Sequence, residues 1–97
     1  MIAKVKLALR VTSNHFDGEI EDLIASAKDD LVYSGVKAEK VEGLELDPLI
    51  VRAVKTYCKA NFGYDNPDAE RFARSYDMLK QHLSLSNEYR VGDEGEA

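Results

Sequence analysis

Residues 47–85 read DPLIVRAVKTYCKANFGYDNPDAERFARSYDMLKQHLSL, and the fold follows from this stretch. It holds two helices, each announced by an Asx-Pro pair. Asp47-Pro48 and Asn66-Pro67 each put a side-chain oxygen at the N-cap and a proline at the first helical position, where the missing N–H costs nothing and φ is already set. Gly63 follows the last turn of the first helix, where a residue of positive φ often closes the element. Tyr64, Asp65 and Asn66 then lead into the second helix. The pattern predicts an αα-hairpin with helices over about 48–62 and 67–84.

The two helices differ in the width of their apolar faces. Leu49, Ile50, Ala53, Val54, Tyr57, Cys58 and Phe62 spread over roughly 220° of the first. So wide an arc needs more than one neighbour, which makes this the central helix. Its remaining strip is basic, with Arg52, Lys55 and Lys59 at i, i+3 and i+7. On the second helix Ala69, Phe72, Tyr76, Leu79 and Leu83 form a stripe about 120° wide that buries one side only. Tyr57 and Phe72 are expected in the core between the two helices. Glu70 and Arg74 are spaced to pair on the wet side.

Outward from the hairpin, residues 14–34 predict a long amphipathic helix. Phe16, Ile20, Leu23, Ile24, Ala27 and Leu31 share one face, with Glu19, Asp22, Asp29 and Asp30 opposite. Asn14 is the expected cap, and Gly35 the expected closing residue. Acids crowd the first turns, where the helix dipole favours them. Asp29 and Asp30 sit at the wrong end for it and hint at a basic neighbour, a solvated face being the plainer account. Residues 2–11 fit either a strand or one helical face; the abundance of good helix formers favours a short N-terminal helix. Residues 36–46 have no clean period and predict a surface loop with at most one short turn. The acidic, glycine-bearing end of the chain predicts a flexible tail over 91–97, leaving one helical domain over 1–90. The fold class is therefore all-α, a small bundle of three main helices plus the short N-terminal one.

Composition excludes several classes. Ninety-seven residues make one domain with a small core. No apolar run approaches the roughly 20 residues that cross a bilayer, and MIAKVKLALR is too short and too charged for a secretory signal. One cysteine rules out an internal disulfide framework and suits a reducing compartment. A net charge of −5 argues against general attraction to nucleic acid, so any DNA contact would need a local basic strip. No catalytic set emerges. His15 and His82 lie far apart in the pattern, Cys58 falls on the apolar arc, and neither metal-ligand spacing nor a glycine-rich phosphate loop is present. No cofactor is expected.

Candidate contact residues remain. The basic strip of Arg52, Lys55 and Lys59 and the acidic face of Glu19, Asp22, Asp29 and Asp30 are complementary. If they point to opposite sides of the subunit, copies can associate head to tail. Met78 is a large apolar side chain on the polar side of its helix. Tyr89, Arg90 and Val91, after the last helix, join side-chain types enriched in interface anchors.

In order and spacing, VKLALRVT, FDGEIEDLIASAKDDL and DPLIVRAVKTYCKANFGYDNPDAERFARSYDMLKQHL resemble the small head–tail connector proteins of tailed phages and prophages, also described as DNA-packaging or head-completion adaptors. The similarity runs over residues 4–90. Its most specific pieces are the VK-x-x-LR-V opening, the D-P-L-I start of the central helix, and FGYDNP followed by SYDMLKQHL; the 36–46 loop does not match. The resemblance implies a non-enzymatic, all-α virion protein at the head–tail junction, present in the host cytoplasm during assembly. It implies a homo-oligomeric ring on the portal protein that extends the DNA channel and receives the next connector or tail-completion protein. DNA would be passing cargo, no membrane would be involved, and the terminal segments would carry portal contacts. The competing reading is a small helix-turn-helix DNA-binding regulator built on the 47–85 hairpin. Asp68, Glu70 and Asp77 on its second helix make that a poor approach to phosphate. A third, an acidic enzyme subunit, lacks any nucleophile–base pair.

Overall fold

The computed structural model describes residues 1–43, 45–63 and 65–91. Five helices follow in order: α1 (Ile2–Leu9), α2 (Asp17–Tyr33), α3 (Ala38–Val41), α4 (Pro48–Asn61) and α5 (Ala69–Leu85). No strand occurs among the described residues; one isolated antiparallel bridge joins Val36 to Arg90. The expected tail falls outside the described residues except for Val91, whose N–H donates to Gly35 O at 2.7 Å.

Helix α4 is the axis of the bundle, packed on α1, α2 and α5. Its start is set by Asp47, whose Oδ1 accepts from Leu49 N at 2.8 Å ahead of Pro48. Ile50, Ala53, Val54 and Cys58 are buried along its length and meet Ile20, Ile24, Ala27 and Leu31 of α2. Val5 enters from α1, and Tyr76 and Leu83 from α5. Each buried Leu or Ile contributes about 1.5–3 kcal/mol. This common core is what fixes the outer helices around α4.

Several boundaries differ from the sequence-based expectation. Asn14 does not cap α2, because its Oδ1 is taken by Lys6 Nζ at 3.0 Å; α2 begins at Asp17, with Phe16 as its N-cap residue. Lys6 Nζ also lies 2.8 Å from Asp17 Oδ1, tying α1 to the first turn of α2. Asn66 acts one turn ahead of α5. Its Oδ1 accepts from Asp68 N, its carbonyl closes a turn to Ala69 N, and its Nδ2 donates to Lys59 O at 2.6 Å. That last bond fixes the second helix to the end of the first. Residues 36–46 carry the short α3 and bury Val36 and Val41, so this connection is part of the core.

Two helices close by the same pair of hydrogen bonds. At the end of α2, Val36 N donates to Leu31 O and Gly35 N to Val32 O, with Gly35 at φ 112° and the Val36 and Leu31 side chains both buried. At the end of α1, Val11 N donates to Lys6 O and Arg10 N to Leu7 O, but the left-handed residue is Arg10, at φ 60°. No glycine marks that stop.

The expected burial of Tyr57 and Phe72 is corrected: both are half-buried. Tyr57 stacks edge-on against Tyr76 at 5.1 Å. Phe72 lies under two cations, Lys59 at 5.3 Å and Arg71 at 5.0 Å from its ring centroid. The α5 stripe is on the face the spacing indicates, but only Tyr76 and Leu83 reach the closed core. Around Phe72 a groove remains open.

Candidate functional site

That groove runs along α4 between α1 and α5, with a volume of about 650 Å³. Its floor is apolar, formed by Leu46, Val51 and Phe72; its walls carry Lys4, Arg52, Lys55 and Lys59. The basic strip is cationic wall because 3.6 residues per turn place positions 52, 55 and 59 on one side of α4, while 50, 53, 54 and 58 turn inward. Val51, which the apolar arc left out, is 8% exposed and forms floor between the two sides. A smaller depression shares Lys4, Leu46 and Val51 with the groove and adds Lys28 of α2. Among the described residues, no carboxylate lines either concavity.

Among the described residues, no ion pair within 4 Å involves Lys4, Arg52, Lys55 or Lys59. On α5 the pairing is local: Asp68 with Arg71, Glu70 with Arg74, and Asp77 with Lys80. The helix that a helix-turn-helix reader would place in a groove thus has its arginines neutralised by its own acids. Lys4 of α1 and Arg52, Lys55 and Lys59 of α4 line the groove instead.

The other sequence-derived candidates separate into inner and outer groups. Glu19, Asp22 and Asp29 are exposed on α2. Asp30 is not part of a free acidic face: its Oδ2 accepts from Tyr76 Oη at 2.6 Å and from Lys80 Nζ at 3.1 Å. The misfit of Asp30 with the dipole of α2 is answered by Lys80, a basic neighbour on α5. Burial and the Asp30 bond push the Tyr76 phenol far above its ordinary pKa. Tyr89 is likewise not an exposed anchor. It is 5% exposed, and its hydroxyl donates to Asp47 Oδ2 at 2.6 Å, with Lys40 5.5 Å above its ring. That bond holds the Asp47 carboxyl below the usual carboxylate range, helped by Leu49 N–H. It also pushes the Tyr89 phenol up to about 12. Arg90 is half-buried in the bridge to Val36.

Met78 and Val91 are outer residues, 72% and 62% exposed. Val91 belongs to one end of the bundle that also exposes Tyr33 and Leu85, at 93% and 76%. The backbone brings these together, because Val91 N donates to the carbonyl of Gly35, two residues after Tyr33, and a Cβ at Gly35 would meet Ser84, the neighbour of Leu85. Neither Tyr33 nor Leu85 was singled out by the sequence, since each sits at a helix end where periodicity says little. Lys4 was missed for a similar reason, its alternation with Lys6 giving no hint which lysine faces the central helix.

Among the described residues that line the groove there is no Cys, His, Asp or Glu. Cys58 is fully buried, and burial pushes its thiol up to about 11, so it remains a protonated core residue. Among the described residues no group of His, Cys, Asp and Glu is placed to hold a metal ion. No helix among them is long and apolar enough to cross a membrane. What the groove offers is four cations over an apolar floor.

A family model described as phage connector protein matches residues 1–90. No curated protein and no solved structure matches the chain significantly.

Proposed function

The chain belongs to the phage connector proteins, structural components of the virion, and from that premise we propose that it acts as a head–tail adaptor, a ring of identical subunits docked on the portal. The ring extends the DNA channel after packaging and presents a surface to the next connector or tail-completion protein. The subunit binds; it performs no catalysis, and DNA crosses it as cargo. Residues 1–90 act as the connector domain and the remainder as its tail.

The observation that carries the ring is the unneutralised basic groove on a subunit of net charge −5. A surface of one sign on one side and acidic residues elsewhere make a heterologous contact, which closes into a ring when the rotation per subunit divides a full turn. Glu19, Asp22 and Asp29 are exposed on α2, a helix that contributes nothing to the main groove, so the two charge sets are not consumed by pairing with each other. Contacts of this kind are polar and weak per pair in water, so assembly is completed on the portal template. Met78, Val91 and Arg90 supply contacts to neighbouring components.

Lys55→Glu combined with Lys59→Glu tests this reading. Helicity and melting of the free subunit should be nearly unchanged, because neither lysine is ion-paired with a described residue. Incorporation into portal-bearing heads, followed by sedimentation and electron microscopy, should be lost. Assembly that persists with the fold intact would mean the ring closes through other surfaces.

A further inference from the structure

We propose that the occupant of the groove is residues 92–97 of a neighbouring copy, which deepens the ring reading and rests on it. Three properties of the groove narrow the choice. Its cations lie along at least two turns of α4, from Arg52 to Lys59, so the ligand must carry several negative charges in a row. Its apolar floor is bounded by α1 on one side and α5 on the other. And no carboxylate among the described residues lines it.

The exposed acids of α2 meet the first condition poorly and the second not at all. Glu19, Asp22 and Asp29 project from a helix about 10–12 Å across with side chains, a convex surface that rests on the rim of a groove without entering it. Residues 92–97, in contrast, read GDEGEA: three carboxylates, Asp93, Glu94 and Glu96, among residues with little or no side chain. A volume of about 650 Å³ suits a short segment of this size. Two glycines let its backbone lie close to Val51 and Phe72 while the carboxylates reach the lysines on the walls.

Reach favours a neighbouring subunit over the same one. The segment departs from Val91, bonded to Gly35 O, just after Tyr89 is fastened to Asp47 at the start of α4. Lys59 lies twelve residues farther along α4, about 18 Å at the rise of a helix. Six residues span about 20 Å when fully taut, and Asp93 and Glu94 come only two and three residues after Val91. Within one subunit only Glu96, with the chain fully taut, approaches Lys59 while Asp93 and Glu94 stay near the start of α4, whereas a tail arriving from a neighbour can lie along the full length of the groove.

Zero-length carbodiimide crosslinking of the assembled full-length protein distinguishes the alternatives. The sample is an equal mixture of unlabelled and uniformly 15N-labelled copies, assembled on portal-bearing heads, with oligomeric state followed by sedimentation in parallel. The expected result is an amide between Asp93, Glu94 or Glu96 and Lys55 or Lys59, in peptide pairs that carry one label of each kind as often as random mixing gives. The triple variant Asp93→Asn, Glu94→Gln and Glu96→Gln should lose these crosslinks while retaining the melting temperature of the free subunit. Tail crosslinks found only within singly labelled pairs would overturn the proposal in favour of a tail folded on its own groove. Crosslinks from Lys55 or Lys59 to Glu19, Asp22 or Asp29, or assembled rings without any tail crosslink, would overturn it and leave the ring reading standing. Failure to assemble on portal-bearing heads at all would overturn the ring reading, and this proposal with it.

Discussion

Two tyrosine–aspartate ties hold the inside of this subunit together, whereas the four cations along its outer groove make no ion pair with a described residue. The ties are alike in geometry. Tyr76 donates to Asp30 and Tyr89 to Asp47, each at 2.6 Å, and each joins segments far apart in sequence. The first fastens α5 to the end of α2; the second fastens the segment after α5 to the start of α4. Each aspartate has a second donor, Lys80 Nζ for Asp30 and Leu49 N–H for Asp47. Hydrogen bonds to an ionised acceptor are short and about twice as strong as neutral ones. The groove cations, by contrast, have no carboxylate within 4 Å among the described residues. Charge that positions the helices is paired at hydrogen-bond distance, and four cations without a described carboxylate partner line one groove. This separation allows the groove to be altered without altering the fold.

Breaking a tie should cost the most. Asp30→Ala removes the acceptor of both Tyr76 and Lys80 and leaves the hydroxyl of a buried tyrosine unsatisfied. Loss of a charged hydrogen-bond partner predicts a destabilisation of about 2–3 kcal/mol, measured by chemical denaturation at neutral pH. A loss below about 0.5 kcal/mol would mean that water replaces Asp30 without penalty and that the tie is incidental.

Tyr89→Phe is milder, because Asp47 keeps its bond to Leu49 N–H and the ring still fills its place; about 1–2 kcal/mol is expected. The pH dependence sharpens the test. Asp47 has a depressed pKa in the folded state, so its contribution is complete above the ordinary carboxylate range and is lost as pH falls through the folded value. Tyr89 is raised to about 12, so its contribution is complete below the ordinary phenol range and is lost as pH climbs through about 12. The difference in stability between the native protein and Tyr89→Phe should therefore be greatest across neutral pH and shrink toward both extremes. A difference that stays constant with pH would show that packing of the hydroxyl, and not its bond to a carboxylate, is what the substitution removes.

The comparison also explains what was legible in the sequence. The helices and the central place of α4 could be read because they rest on local signals: apolar spacing, the Asp47-Pro48 cap, Gly35 at a left-handed stop. The basic strip was legible for the same reason, as three residues on one helix. The ties were not, since they join positions 46 and 42 residues apart and only the packed bundle brings them together. Read alone, Asp30 looked like one more member of an acidic face, and Tyr89 like an anchor stranded after the last helix. The stop after α1 gave no glycine to read, because Arg10 takes the left-handed conformation there. Phe72 carried the right periodicity but sits where α5 and α1 leave the groove open, and periodicity records direction, not depth.

The smallest effect is expected from the groove itself. Lys55 lies three residues after Arg52 and four before Lys59, so it takes part in two like-charge neighbour pairs on one helical face. Such pairs each destabilise a helix by about 0.2–0.5 kcal/mol at low ionic strength. Lys55→Gln removes both and keeps a good helix former at the position. Against this stands some loss of packing, because the lysine stem is half-buried along the groove wall and glutamine is shorter. The net change should be a stabilisation of a few tenths of a kcal/mol, about 1–3 °C in melting temperature for a domain of this size. Salt separates the two contributions. Repulsion between exposed charges fades as the screening length contracts from about 10 Å at 0.1 M to about 3 Å at 1 M, while packing does not. The variant should therefore melt slightly above the native protein in dilute buffer, and level with it or just below in 1 M salt. A destabilisation of more than about 1 kcal/mol in dilute buffer would show that Lys55 is held by a partner inside the subunit. The groove would then be part of what builds the fold, and the division between paired inner charge and unpaired outer charge would fail at its central residue.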